Sequence, residues 1–311
     1  MTAAAPARQD ERARRHAAVL PYLMLSLTMM CWAGNWVVGR AVRGVMPPVA
    51  LTFWRWTIAA LLLAPFVLPR LRGKSPLLRQ HWRVLAILGF AGVALFQFLI
   101  YFGLRLTTSV NGMLMNSAMP LFILLIAWLV DRDTVTPRQL AGMVVSFTGI
   151  LVILNHGEVA TLRHFTFNPG DLLILAAMPV WGIYSVALRR APRELDPLSL
   201  VFVVAVIGIA FLLPAYLAES AVFQPVQLSW PALASVLYVA VFASIVAYLG
   251  WNGGVARIGP NRAGFTVHLL PAFGTVLAII FLGEEVHLFH AVGIAAILVG
   301  VWLASSARRA A

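Results

Sequence analysis

Inside the long apolar runs of this chain stand a few side chains able to bind or titrate. They are Trp32, Asn35, Trp36, Gln97, Tyr101, Asn116, Trp181, Tyr184, Tyr248, Trp251, Asn252 and His268, with Ser117 beside Asn116. A polar group in an apolar interior is costly unless it faces a partner or a water-filled cavity. The chemistry on offer is recognition. Amides and hydroxyls bind either charged end of a zwitterion, and indole faces hold an ammonium or stack on an aromatic ring. The same amides and phenols can simply join neighbouring helices. His268 stands three residues before Pro271. It can titrate or bind substrate, or it can satisfy a backbone carbonyl that the proline frees. Arg55 can pair with a substrate carboxylate, or it can snorkel or cap helix-end carbonyls. Trp54, Trp82, Trp230 and Trp302 lie near run ends and read as interfacial anchors.

Reaction chemistry finds no such set. All eleven acids fall between the apolar runs or at their ends, so no buried carboxylate is available as a proton carrier. There is no glycine-rich phosphate loop and no HExxH pattern. His287 and His290 share a helix face but lack further ligands, so no metal site is read. The single cysteine, Cys31, excludes an intramolecular disulfide. The chain is read as a non-enzyme with no cofactor and no catalytic residues.

The elements that must hold these side chains follow from composition. The sequence is 61% hydrophobic and 11% charged, against roughly 25% charged in soluble domains. An all-α integral membrane fold in a lipid bilayer accounts for this. A span needs about 20 apolar residues. The runs predict ten transmembrane helices, near 19–39, 48–69, 82–104, 110–130, 137–155, 170–189, 197–217, 230–252, 262–283 and 287–305. Residues 1–18 and 306–311 are short tails, the first expected to be unstructured. The apolar run after Arg15 continues to Val38, too long for a cleaved leader, so it reads as a retained first helix. The net charge of +12 sits in short segments between apolar runs, which argues against nucleic acid. With ten spans, eighteen Lys and Arg fall on one side, from Arg8 to Arg309. Arg40, Arg43, Arg105 and Arg163 fall on the other. The positive-inside rule then puts both termini in the cytoplasm.

The chain also repeats itself. Trp32 and Pro48 recur as Trp181 and Pro197, Trp82 as Trp230, Pro120 and Phe122 as Pro271 and Phe273, and Gly142 and Gly149 as Gly293 and Gly300. The offset stays near 150 residues. Two units result, 19–155 and 170–305, each of five helices. Five is odd, so the second unit starts on the opposite face and the repeats are inverted. Alternating-access carriers use this plan, with the site between repeats near the midplane. One chain holds both repeats, so a monomer is expected. Pro120 and Pro271 can kink their spans, and the paired glycines read as close helix packing.

These features resemble the EamA type of the drug/metabolite transporter superfamily. The matching patterns are Cys31-Trp32-Ala33-Gly34-Asn35-Trp36, Thr52-Phe53-Trp54-Arg55-Trp56, a proline in the fourth helix of each half, the glycine-spaced fifth helices, and Phe281-Leu282-Gly283-Glu284-Glu285. The first half departs at that last motif, with Val130-Asp131-Arg132-Asp133. Within the superfamily the chain is most similar to YddG-type exporters of aromatic amino acids. That resemblance implies export of aromatic and other neutral amino acids across a bacterial inner membrane. Export of another small metabolite or drug, or nucleotide-sugar or sugar-phosphate exchange, shares the architecture. A sugar phosphate would want several buried cations where only Arg55 is present, and a cationic drug would want a buried acid.

Overall fold

The computed structural model describes residues 4–41, 46–107, 112, 115–155, 168–222, 229–282, 285 and 287–305. The charges Arg43, Glu158, Arg163, Glu284, Arg308 and Arg309 and the tail 306–311 lie outside them, as do the side chains of residues 4–18 and of Arg40. Eleven helices account for nearly all of the described chain. In order they are α1 (Ala4–Ala41), α2 (Pro48–Leu71), the short α3 (Ser75–Gln80), α4 (Trp82–Leu106), α5 (Met119–Asp131) and α6 (Pro137–Leu154). Then come α7 (Pro169–Ala187), α8 (Pro197–Val222), α9, α10 and α11 (Leu288–Ser305). Helix α9 runs as Trp230–Tyr238, Val239–Val246 and Ala247–Ile258, and α10 as Pro260–Phe265, Thr266–His268 and Leu269–Leu282.

Among the described residues, seven helices are long and apolar enough to cross a membrane, and α5 and α6 are shorter apolar helices. Large apolar side chains point outward all around them, including Leu61, Phe66, Trp82, Leu121, Phe281 and Trp302. A lipid solvent accepts such a surface, and water would not. The first helix starts at Ala4, well before the expected Val19. Its added turns are rich in Ala and Arg, both strong helix formers.

Local chemistry sets the helix starts. Thr136 and Gln139 form a reciprocal capping box ahead of Pro137, and Asn168 and Asp171 do the same ahead of Pro169. Each satisfies backbone N–H groups that the first turn leaves without acceptors. Between α9 and α10 the chain reverses at Gly259, whose φ of 82° a side chain would resist.

Helices pair across the two halves. Helix α1 lies against α9 and α10, and α7 lies against α4 and α5. Helix α2 meets α8, and α6 meets α11. The α6–α11 contact is made through glycine. A methyl on Gly142 would collide with the Gly300 carbonyl, and one on Gly149 with the Gly293 carbonyl. The two helices therefore run antiparallel, with their backbones touching, as the sequence spacing of these glycines suggested.

Helices α4 and α9 share a feature that the sequence did not announce. Each widens into a π-helical segment, Gly89–Leu95 in α4 and Val239–Val246 in α9. Their starts are 150 positions apart, the repeat spacing. A π segment shifts the backbone ladder by one residue and redirects carbonyls toward other donors.

Candidate functional site

The two π segments face the centre of the bundle, where aromatic rings close on one another. Trp181 of α7 is the hub. Its ring centroid lies 5.2 Å from Trp32, 4.7 Å from Phe96, 4.8 Å from Tyr184, 5.7 Å from Tyr248 and 5.6 Å from Trp251. Trp32 reaches Trp251 at 5.7 Å, and Trp56 meets Tyr248 edge to face at 4.6 Å. Trp56, Trp181, Tyr184, Tyr248 and Trp251 are fully buried. Helices α1, α2, α4, α7 and α9 thus share one aromatic partition, drawn from both halves.

Inside it, several buried polar groups have no partner among the described residues. The indole nitrogens of Trp56, Trp181 and Trp251, the Asn252 amide nitrogen and the Ser185 hydroxyl have no partner. A buried donor left unmade costs about 1–3 kcal/mol. Four of these five groups are N–H donors, which an oxygen acceptor would suit.

Each π segment lends a carbonyl to a side chain from the opposite half. Tyr248 donates to the Gly92 carbonyl in α4, and Gln97 approaches the same hydroxyl. The Ala243 carbonyl in α9 accepts from the Trp32 indole at 3.1 Å and from Arg55 Nη2 at 3.1 Å. Arg55 also donates from Nε to Ser244 Oγ at 2.9 Å and from Nη1 to the Tyr101 hydroxyl at 3.2 Å. Its Cζ lies 5.7 Å from the Trp56 ring centroid.

Two phenol–amide contacts flank the partition. Tyr101 and Asn35 are 3.3 Å apart, joining α4 to α1. Tyr184 donates to Asn252 Oδ1 at 2.7 Å, joining α7 to α9. At the repeat spacing Asn35 corresponds to Tyr184 and Tyr101 to Asn252, so the amide and the phenol have changed places.

Other expected residues take lesser positions. Trp36 and Asn35 are half-buried at the margin, and Asn116 is buried before α5. His268 stands apart from the rings. Its Nε2 faces the Ser117 carbonyl at 3.1 Å and its Nδ1 meets Ser146 Oγ. It satisfies irregular backbone in the other half and ties α10 to α6. Trp56, Phe96, Ser185 and Ser244 belong to the site but were not singled out from sequence.

Polar ties hold the two ends of the bundle. At one end Arg189 bonds Asp131 at 2.8 Å and Asp133 at 2.6 Å, and Arg190 also reaches Asp131. Burial alone would raise the Asp131 pKa, but its bonds to Arg190 and Arg189 hold that carboxyl below the usual range. At the same end Arg70 pairs with Asp196 at 3.3 Å. At the other end Glu219 accepts from the Val49 and Ala50 backbone at the start of α2, at 3.2 and 2.7 Å. Asp171 there accepts from Thr107.

With this geometry established, the relatives are informative. The chain is 28% identical to the uncharacterized transporter YyaM of Bacillus subtilis, over 93% of this chain and 94% of that one. It is 26% identical to a probable terminal-alkyne amino-acid exporter of Streptantibioticus cattleyicolor, covering 90% and 91%. It is 27% identical to the aromatic amino acid exporter YddG of Ancylobacter novellus, covering 83% and 87%. A solved crystal structure shares the fold, with a TM-score of 0.71 at 23% identity, covering 92% of this chain and 96% of that one. The profile of the EamA-like transporter family matches twice, at residues 19–155 and 168–306. The chain is a multi-pass membrane protein and belongs to the EamA-like transporter family.

Proposed function

We propose that this transporter exports amino acids, aromatic and other neutral ones, across a bacterial inner membrane by alternating access. The observation that carries the reading is the aromatic partition with its unpartnered donors, assembled where the two halves meet. Trp32, Asn35, Trp36, Gln97, Tyr101, Asn116, Trp181, Tyr184, Tyr248, Trp251, Asn252 and His268 surround or support the path. An amino acid supplies what the partition lacks, namely oxygen acceptors for orphan N–H groups and an ammonium or aromatic ring for the indole faces. Two relatives whose names specify amino-acid export lie at 26% and 27% identity.

The frame is ten spans in two inverted repeats, 19–155 and 170–305. The cross-bracing of each π segment by the opposite half supports it. Basic residues crowd the Arg189 end, which supports a cytoplasmic position for that end and for both termini. The Arg189–Asp131–Asp133 ties then close the cytoplasmic side, and the half-buried Asn35 and Trp36 mark the approach from the opposite one. A monomer suffices, because one chain supplies both walls.

The test is efflux from proteoliposomes loaded with labelled phenylalanine, methionine or threonine. Loss of label should run well ahead of protein-free vesicles. Rates no faster than those of protein-free vesicles, for all three, would remove the amino-acid reading.

A further inference from the structure

The guanidinium of Arg55 is 0% exposed. It carries five N–H donors, and three are taken, by Ser244 Oγ, the Tyr101 hydroxyl and the Ala243 carbonyl. All three acceptors are neutral. Among the described residues no carboxylate pairs with it. A buried cation without an anion keeps most of its desolvation cost, because dipoles repay only part of it. Among the described residues its other two N–H groups have no acceptor. Its surroundings add donors rather than charge. The Trp32 indole shares the Ala243 carbonyl, and the Trp56 and Trp251 indoles and the Asn252 amide are unpartnered. The whole centre is therefore one unit positive and short of oxygen acceptors.

We propose that Arg55, with Tyr101 and Asn35, is a carboxylate-binding subsite at the junction of α1, α2, α4 and α9, and that it restricts the cargo to molecules bearing one carboxylate beside an apolar or aromatic group. This rests on the central site of the preceding section. The chain Asn35–Tyr101–Arg55 leads inward from a half-buried amide to the enclosed cation. A carboxylate following it would meet a planar fork built for two parallel N–H···O bonds. The carboxylate group would offset the guanidinium charge, whereas a second carboxylate would add an uncompensated negative charge and a cargo bearing only a cation would double the positive one. The ring-lined side, with Trp32 and Trp181 at 5.2 Å, receives the remainder of the cargo.

The experiment measures binding to the purified full-length protein of four probes sharing one ring: L-phenylalanine, L-phenylalaninamide, 3-phenylpropionate and phenethylamine. The expected result for the unaltered protein is that phenylalanine binds at least about 30-fold tighter than its amide, the scale of a buried charge pair. Arg55→Gln should bring acid and amide to parity, and Arg55→Lys should keep part of the preference. Should Arg55→Gln fail to fold, the acid-to-amide ratio of the unaltered protein decides alone. Equal binding of acid and amide, or an Arg55→Gln variant that weakens both alike, overturns the subsite. The outcomes also separate the two proposals. Arg55-dependent binding of 3-phenylpropionate without any amino-acid efflux keeps the subsite and removes the amino-acid reading. Amino-acid efflux blind to the carboxylate keeps that reading and removes the subsite.

Discussion

The two halves build the same phenol–amide contact with its partners exchanged, and they surround it differently. In the first half Tyr101 and Asn35 sit against the buried charge of Arg55. In the second, Tyr184 and Asn252 sit among unpartnered donors, and the position equivalent to Arg55 is the buried Val204. The π segments differ likewise. The carbonyl of Gly92 takes a single phenol, while that of Ala243 takes an indole and a guanidinium. Backbone and side chain therefore carry separate duties. On the proposed function, the doubled backbone would supply the two closures of similar geometry that alternating access requires. On the proposed carboxylate subsite, the unequal side chains would give the cargo one orientation, since a carboxylate would meet the Arg55 cation on only one side.

Breaking the shared element should have the largest effect. Trp181→Ala empties the hub of the partition and should cost about 3–5 kcal/mol, read as lost thermal stability in detergent. Trp32→Ala should cost less, because Trp32 is already half-buried. Equal losses would show that the rings do not act as one packed unit. Next comes Tyr101→Phe, which removes an acceptor from a buried charge and should cost about 1.5–3 kcal/mol. The loss should appear as weaker phenylalanine binding with little change for phenethylamine. Tyr184→Phe sharpens the contrast. It strands the Asn252 carbonyl, at about 1–2 kcal/mol of stability, and should leave the ratio of phenylalanine to amide binding intact. A ratio that falls as far as in Tyr101→Phe would mean the halves are chemically equivalent. Smallest is Asp131→Asn. Bonds to Arg190 and Arg189 depress the Asp131 pKa. Its stabilisation is therefore present above the unfolded value, near 3.9, and is lost as pH falls through the lower folded value. Exposed pairs of this kind are worth about 0–1 kcal/mol each. A melting series through acidic pH should slope for the unaltered protein and flatten slightly in the variant.

Much of this was legible in the sequence because the signals are local or periodic. Apolar run length marked the spans. The recurrence of Trp32 as Trp181 and of Gly142 as Gly293 marked the doubling and the glycine contact. Asn35 and Tyr184 stood out as polar groups in apolar runs. The π segments were not legible. They need no proline, and Gly89, Ala91 and Ala94 read equally well as an ordinary helix. Without them nothing indicates that Ala243 presents a free carbonyl, so Ser244 stayed unnoticed. Trp56 was obscured by its neighbours Phe53 and Trp54, whose type suits an interfacial anchor. Only the turn of α2 separates Trp56, fully buried, from Trp54, which faces outward. The extra turns of α1 were missed because a chain terminus is expected to be unstructured unless tied down.

The contact between α6 and α11 also bears on how the chain is made. The backbone that Gly142 and Gly149 touch, around Gly293 and Gly300, is synthesised well after them. Loop closure over nearly half the chain must precede that contact. Until then α6 presents a bare glycine face to lipid or to whatever assists insertion. A chain stopped before α11 keeps that face uncovered, and a newly made protein that has finished translation but not this pairing has the same defect. Helix α11 thus completes a surface that the first half cannot close by itself.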